Sequence, residues 1–157
     1  VMEAALRSAH YLVTGENPDA DKFSAVRGMD GRKERTVQVG DATLNVAVTN
    51  GLANARLLIE AIKAGKVSYD FVEIMACPGG CVGGGGQPFK DGLELAEDRS
   101  RQLYELDRKN EIRFSHENSA VQLTYQEYLG EPMSEKAHHL LHTDLKGWDI
   151  EMVREDT

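Results

Sequence analysis

The strongest chemical signal in this sequence comes from two cysteines that lie close together. Cys77 and Cys81 are the 2 cysteines of the chain, and three residues separate them in a segment that runs from Met75 to Pro88. Thiolates are ligands for soft metals such as iron and zinc. Six of the eight residues from 79 to 86 are glycine, so the backbone here can approach a bulky group closely, and its N–H groups can surround an anion.

This segment departs from several common motifs. A phosphate-binding loop needs Lys and then Ser or Thr after its last glycine, whereas Gly86 is followed by Gln87 and Pro88. The dinucleotide pattern G-x-G-x-x-G fails in every register, and a thioredoxin-like pair has two residues between its cysteines. Structural zinc needs four ligands, and no other Cys or His is near in sequence. Two interpretations stay open: a loop that holds an iron–sulfur cluster, and a tight turn with two small buried residues.

Histidines form a second cluster of candidate ligands near the C-terminal end. His138, His139 and His142 are close in sequence, and the first and last are one helical turn apart. Because no third ligand lies nearby, the pattern favours a packed helix over a metal site. The same interpretation applies to His10 and His116.

The elements around the cysteines predict how they are positioned. Alternating apolar residues at 44–48 indicate a strand, Asn50-Gly51 a turn, residues 52–62 an amphipathic helix, and 71–75 a second strand. Strand, helix and strand make a βαβ unit with parallel strands and a right-handed crossover. The cysteines then follow the carboxyl end of a strand, where open parallel sheets bind ligands. The predicted fold class is α/β, with βαβ units in a parallel sheet flanked by helices.

Other segments are predicted more coarsely. An amphipathic helix from Met2 to Val13 has no capping residue before it, which we expect of a chain cut from a longer protein. Residues 16–35 indicate a loop, 93–108 a charged helix, and Ser119 with Gln122 a capping box ahead of a short helix.

Composition limits the function classes. The 157 residues and 17.4 kDa suit one domain or one lobe of a larger one. With 26 acidic and 18 basic residues the net charge is -8, which argues against a nucleic acid or an anionic membrane as partner. No apolar run is long enough to cross a bilayer. Two close cysteines cannot form a disulfide framework, so a reducing, cytoplasmic compartment is expected.

The segment FVEIMACPGGCVGGGGQP at residues 71–88 resembles the third cysteine signature of the catalytic domain of [FeFe]-hydrogenases. Other segments resemble the same family in the same order: VMEAALR at 1–7, VRG at 26–28, VAV..GLANAR at 46–56, SHEN at 115–118 and SEKAHHLLHT at 134–143. The resemblance implies that residues 1–146 are the C-terminal half of such a domain, one lobe of a larger catalytic unit, followed by a charged tail at 147–157.

The resemblance also implies a role for each site residue. Cys77 would bind a [4Fe-4S] cluster, and Cys81 would bind it too while bridging to the diiron subsite of the H-cluster. Met75 would line the pocket around that subsite, so Met75 and Cys81 are the predicted catalytic residues. The remaining cofactor-binding residues are predicted in the glycine-rich run: Gly79, Gly80, Gly83, Gly84, Gly85, Gly86 and Gln87. In this family further cysteines lie upstream, so the cluster is expected to be absent or incomplete in this chain alone.

Three classes of function follow. The first is part of an [FeFe]-hydrogenase that reversibly reduces protons to H2, inactive in isolation. Its partners would be the N-terminal half of the domain with the other cysteine ligands, and ferredoxin or another redox protein; self-association is also expected. The second is a hydrogenase-like iron–sulfur protein of the prelamin A recognition factor type, without hydrogenase activity. The third is an inactive, metal-free folded fragment.

Overall fold

The computed structural model describes residues 1–142 and divides the chain into two compact units, which meet between Glu117 and Asn118. The predicted tail at 147–157 lies outside the described residues. Among those described, no helix is long and apolar enough to span a membrane. The elements of the first unit are α1 (Met2–Thr14), β1 (Arg32–Val39), β2 (Ala42–Asn50), α2 (Leu52–Lys63), β3 (Phe71–Met75), β4 (Phe89–Lys90), β5 (Leu93–Glu94) and α3 (Ala96–Lys109).

The main sheet has the order β1-β2-β3. β2 and β3 are parallel, with Asn50 opposite Met75, and α2 connects them, so the predicted βαβ unit is confirmed. β1 pairs with β2 in the antiparallel direction, from Arg32 opposite Thr49 to Val39 opposite Ala42. The sheet is therefore mixed and contains one parallel pair. The prediction of a loop over residues 16–35 was wrong for residues 32–35, which belong to β1, because four successive charged residues conceal the alternation of an edge strand.

The core lies between α1 and one face of the sheet. It contains buried residues from α1, from the connection that follows it and from the first two strands, namely Met2, Leu6, Phe23, Val26, Val39, Val46 and Val48. Phe23 and Val26 belong to the segment predicted as a loop, yet they are almost fully buried. Burial of two large apolar side chains explains why this irregular segment is fixed to the sheet.

The opposite face of the sheet is covered by α2. Ala55 and Leu58 are its buried residues, as the helical periodicity predicts. Leu52, Ile59 and Ile62, which the same pattern assigns to the buried face, are instead exposed. The apolar stripe of α2 is thus wider than the surface that the sheet covers within the described part of the chain.

The start of α1 is capped by a residue distant in sequence. The Met2 N–H donates to Glu73 Oε2 of β3 at 2.9 Å. A carboxylate at this position accepts a hydrogen bond from a free helix N–H group and complements the positive end of the helix dipole. A side chain distant in sequence therefore satisfies one of the N–H groups that a local cap would otherwise bind. α1 ends before Gly15, as predicted.

The second unit, described to residue 142, consists of short helical segments: α4 (Ser119–Thr124), a π-helical turn (Tyr125–Leu129) and α5 (Glu135–Leu141). α4 is capped by Asn118, whose Oδ1 accepts from the Ala120 N–H at 2.9 Å, one residue earlier than the predicted capping box. Leu129 and Ala137 are buried.

The predicted C-terminal helix is present as α5 and packs through the buried Ala137, but His138, His139 and His142 are exposed and lie outside its packed face. The rings of His138 and His142 lie 4.8 Å apart. In the first unit, His10 and His116 are half-buried, which agrees with the prediction that they are packed. His116 Nδ1 lies 3.0 Å from Ser8 Oγ, and His10 Nδ1 accepts from the Gly40 N–H at 3.3 Å.

Candidate functional site

The cysteine loop begins directly after the carboxyl end of β3 and folds into two successive turns. The Gly80 N–H donates to the carbonyl oxygen of Cys77 at 2.9 Å, and the Gly83 N–H donates to that of Gly80 at 3.1 Å. Cys81 lies in the short 3₁₀ turn formed by residues 80–82. Cys77 is half-buried and Cys81 is exposed, and both are free thiols. The interpretation of two small buried residues in a turn therefore does not describe Cys81.

Close backbone contacts explain two of the glycines. A methyl group on Gly84 would lie 2.7 Å from the Cys77 Sγ, and one on Gly80 would collide with the Met75 Sδ. Both glycines also have positive φ, +96° for Gly84 and +67° for Gly80, which side chains disfavour. The thiol of Cys77 thus lies against bare backbone, and the Met75 thioether lies against Gly80.

Cys81 and Met75 line the same cavity, which has a volume of about 130 Å³. Its other walls include Met2 of α1 and Ser100 and Tyr104 of α3. The structure thus brings the two predicted catalytic residues together at the edge of the sheet where ligands are expected. Cys77 is separate from this cavity, on the side of the loop that faces Gly84.

The end of the glycine run is more open. Within the described part of the chain, no atom outside the neighbouring residues lies within 4 Å of a methyl group built on Gly85 or Gly86. Gln87 is half-buried. Cofactor binding by these three residues stays a prediction.

Arg99 of α3 binds the backbone at both ends of this glycine run, a contact that no sequence pattern indicates. Its Nε donates to the carbonyl oxygen of Val82 at 2.7 Å, and its Nη1 donates to that of Pro88 at 3.1 Å. Arg99 also forms an ion pair with Glu94. One guanidinium therefore connects the two ends of the segment from 82 to 88.

Asn50, at the end of β2, is a second residue whose role the sequence reasoning missed. Its Oδ1 accepts a hydrogen bond from the Gly79 N–H at 2.9 Å, so it contacts the cysteine loop directly. The sequence interpretation treated Asn50 only as part of a turn. A usable signal existed, because an amide at the carboxyl end of a strand adjacent to the cysteine-bearing strand lies at the ligand-binding edge.

A cluster of carboxylates lies elsewhere in the first unit and resembles a metal site only in its spacing. Glu3, Asp21 and Asp107 bring oxygen atoms within 4.8 Å of one another. Three arginines, Arg7, Arg27 and Arg113, form short ion pairs with these carboxylates and neutralise them. The acidic charge is thus already compensated, so the cluster stabilises the packing of α1 against its neighbours.

This cluster changes the ionisation of its central carboxylate. Hydrogen bonds from Arg7 hold the pKa of Asp107 well below its usual range. Partial burial of the carboxyl group opposes this shift, and hydrogen bonds from Arg113 add to it. The pKa of Arg113 is raised by its hydrogen bonds to Asp21 and Asp107. Both groups therefore stay charged at neutral pH.

Two protein-family profiles match this chain. The profile of the iron-only hydrogenase large subunit, C-terminal domain, matches residues 1–85, and that of the iron hydrogenase small subunit matches residues 93–146. The chain belongs to the iron-only hydrogenase large-subunit family. Within that family, the matched region contains α1, the βαβ unit and the whole of the cysteine turn.

Individual relatives agree with this assignment. The chain is 49% identical over 144 residues to the NADP-reducing hydrogenase subunit HndD of Solidesulfovibrio fructosivorans, which covers 91% of this chain and 24% of HndD. It is 41% identical over 154 residues to iron hydrogenase 1 of Clostridium pasteurianum, and the match covers 93% of this chain and 26% of that hydrogenase. It is also 36% identical to the cytosolic iron-sulfur assembly component 3 of Rattus norvegicus, covering 90% and 30%. The chain spans about a quarter of the length of the hydrogenases it matches.

Solved structures give the same result. The fold is similar to a variant of the [FeFe]-hydrogenase HydA1 from Chlamydomonas reinhardtii, with a TM-score of 0.70 and 43% identity, covering 90% of this chain and 43% of that one. A second [FeFe]-hydrogenase, studied for stepwise H-cluster assembly, matches with a TM-score of 0.68 and 43% identity, covering 88% and 42%. The mixed α/β fold of this chain is thus that of the hydrogenases' C-terminal domain.

The residues present fit one side of an iron–sulfur site. Two thiols follow one strand end, and the Gly84 backbone lies so close to the Cys77 Sγ that any Cβ on residue 84 would collide with it. Thiolates are the ligands that iron–sulfur clusters require, typically four of them, and backbone N–H groups near the sulfurs tune the cluster. This chain supplies 2 cysteines. The donor set is therefore chemically suited to a [4Fe-4S] cluster and amounts to half of the usual ligands.

Proposed function

We propose that this chain is part of an [FeFe]-hydrogenase catalytic domain and contributes two cysteine ligands to its H-cluster. One observation carries the proposal: Cys77 and Cys81 lie on one glycine-rich turn after β3, and the exposed Cys81 shares a cavity with Met75. A turn of this kind presents two thiolates from one short backbone segment. That arrangement supports binding of a cubane by both thiols and of a diiron subsite by Cys81.

Each residue of the site has a defined task in this proposal. When bound, the H-cluster supplies the redox chemistry that interconverts protons, electrons and H2. Cys77 would be one ligand of the cluster, and its thiol lies against the Gly84 backbone, where no side chain intervenes. Cys81 would be a second ligand, and it lines the same cavity as Met75, whose thioether contributes an apolar wall that limits the access of water. Arg99 fixes the ends of the glycine run.

The proposal requires partners. A typical cluster has four thiolates, so the remaining ligands must come from another polypeptide segment, the N-terminal half of the domain. Electrons would arrive from ferredoxin or another redox protein bound to the complete protein. A cytoplasmic location is part of the proposal. Among the relatives, one is named as periplasmic and another as cytosolic, so relatedness leaves the compartment open.

A second candidate function rests on the assembly proteins among the relatives. The chain is 37% identical over 123 residues to a probable cytosolic Fe-S cluster assembly factor of Drosophila erecta. A protein of that type would use Cys77 and Cys81 to hold a cluster without producing H2. The two functions differ in one measurable property: the first predicts that the complete protein has hydrogenase activity, and the second predicts that it has none.

A chimeric enzyme tests the proposal. This chain would replace the matched quarter of iron hydrogenase 1 of Clostridium pasteurianum, and H2 evolution would be assayed with reduced methyl viologen. We expect the chimera to evolve H2 and this chain alone to be inactive, since it has at most half of the thiolates. The control is the same chimera with Cys77 and Cys81 both replaced by Ser. A folded chimera that contains iron and sulfide but evolves no H2 would contradict the hydrogenase proposal and favour the assembly function.

A further inference from the structure

We infer that Asn50 is a positioning residue that fixes the cysteine loop to the segment 29–31, which immediately precedes β1. Asn50 is the last residue of β2 and lies opposite Met75 in the parallel register. Only 5% of its surface is exposed. A buried primary amide requires partners for both its oxygen and its nitrogen. The structure supplies both partners, and they belong to two different loops.

The amide of Asn50 connects these loops by hydrogen bonds of good length. Its Oδ1 accepts from the Gly79 N–H at 2.9 Å, and its Nδ2 donates to the carbonyl oxygen of Asp30 at 2.8 Å. Its own main-chain N–H donates to the carbonyl oxygen of Gly31 at 3.0 Å. The side chain must therefore accept on one side and donate on the other. Asp lacks the donor, and Ala and Leu lack both groups.

The two loops also touch each other, which makes the connection effective. A methyl group on Gly79 would lie 2.8 Å from the Met29 Cε, so the Gly79 backbone is packed directly against Met29. Met29 precedes Asp30, whose carbonyl group Asn50 holds. Asn50 thus fixes both sides of a tight contact. Because Gly79 lies between Cys77 and Cys81, a shift of its peptide plane would move both thiols.

This inference rests on the proposed role of Cys77 and Cys81 as cluster ligands, and it adds the residue that sets their placement. Sites whose ligands are held by a second layer of hydrogen bonds lose metal affinity when those bonds are removed. Loss of the Asn50 amide should therefore let the loop open locally while the sheet stays folded. The expected signature is greater exposure of the half-buried Cys77 thiol.

The experiment measures thiol labelling in this chain. Asn50→Ala would be made in two single-cysteine backgrounds, Cys81→Ser and Cys77→Ser, and labelling by Ellman's reagent would be followed under native conditions. We expect the Cys77 rate to rise by about tenfold, the size of a local opening released by losing two hydrogen bonds. The already exposed Cys81 should change by less than about threefold.

Thr49→Val is the matched control. Thr49 is fully buried on the same strand, and its Oγ1 donates to the carbonyl oxygen of Gly31 at 2.7 Å, so its hydrogen bond does not involve the cysteine loop. This variant should lower the thermal midpoint as a lost hydrogen bond does, yet leave both labelling rates unchanged. Equal acceleration in the Thr49 and Asn50 variants would show a general loss of stability and overturn the inference, as would an unchanged Cys77 rate in Asn50→Ala.

A measurement on the unmodified chain keeps the inference testable if Asn50→Ala fails to fold. The Gly79 amide should be protected from hydrogen exchange as strongly as the amides of β3, because its acceptor is a buried side chain. Exchange at the rate of a free amide would contradict the inference. None of these measurements needs a cluster. If the chimera produces no H2 but Asn50 controls thiol labelling, the proposed function fails while the positioning role stands.

Discussion

The contact between the Cys77 thiol and the Gly84 backbone is the most specific feature at the scale of single residues. Gly84→Ala would place a methyl group 2.7 Å from the Cys77 Sγ at a φ of +96°. We expect it to destabilise the chain by about 1–3 kcal/mol and to raise the labelling rate of Cys77. Urea unfolding and thiol labelling check this.

Gly85→Ala is the control for that prediction, because a methyl group there has open space around it in the described structure and no positive φ. It should change stability by less than about 0.5 kcal/mol. If Gly85→Ala were as harmful as Gly84→Ala, flexibility of the whole run would be the cause, and the contact with Cys77 would not be.

Asp107 makes a prediction about pH. Its pKa is lowered in the folded chain by hydrogen bonds from Arg7 and then Arg113, so it stabilises the fold fully above the unfolded-state pKa of about 4. This stabilisation is lost as the pH falls below that value towards the lower folded-state pKa. Asp107→Asn should cost about 1–3 kcal/mol at pH 7, and the difference from the parent chain should shrink below pH 3 to 4. Urea unfolding at several pH values measures it.

Asp98→Asn is the comparison for Asp107. Asp98 pairs with Arg101 on α3, and both side chains are more than half exposed, so the change should alter stability by less than about 1 kcal/mol. A pH-independent loss in Asp107→Asn would show that packing, and not charge, explains its effect.

Single residues also show how much of the site the sequence could predict. The cysteine loop was recognisable because ligand type, spacing and glycine context are local properties of the chain; the roles of Cys77, Cys81 and Met75 in a site stay predictions. The position of Asn50 at a strand end could have been noted, but its bond to Gly79 could not, and Arg99 left no signal, because its bonds to Val82 and Pro88 depend on how α3 is oriented. Because every residue has main-chain groups, hydrogen bonds to them produce no recognisable pattern in the amino-acid sequence.

At the scale of elements, the βαβ unit was predictable and β1 was not. The alternation in β2 and the helical period in α2 follow from burial against one another. β1 is an edge strand that begins with four charged residues, two of them exposed and two half-buried, and it is recognised only by its pairing with β2. The capping of α1 by Glu73 is likewise a product of tertiary structure.

The link between α3 and the glycine run gives a prediction for an element. Arg99→Ala removes the hydrogen bonds to Val82 and Pro88, so the ends of the run should separate while α3 remains. We expect faster proteolysis within residues 83–90 and about 1–2 kcal/mol lower stability. The exposed Arg101→Ala on the same helix serves as the control and should leave proteolysis unchanged. Equal cleavage in both variants would contradict the expectation that Arg99 holds the ends of the glycine run together.

At the scale of the whole molecule, the chain has surfaces that suggest association. β3 has a strand on one side only in the described sheet, and its Phe71 and Ile74 are exposed, as are Leu52, Ile59 and Ile62 of α2. Unpaired strand edges and apolar patches favour pairing with another chain. We expect light scattering to show self-association that grows with concentration. A constant monomer mass up to the highest soluble concentration would contradict this expectation.

The central claim is that Cys77 and Cys81 are cluster ligands with different tasks, and the chimeric hydrogenase tests it most directly. Electron paramagnetic resonance and H2 evolution would be recorded for the chimera and for its Cys77→Ser and Cys81→Ser variants. We predict that Cys81→Ser abolishes H2 evolution, because a hydroxyl is a poor bridge to soft iron, whereas Cys77→Ser alters the cubane spectrum and leaves some turnover. Unchanged spectra and full activity in the Cys81→Ser chimera would contradict the account.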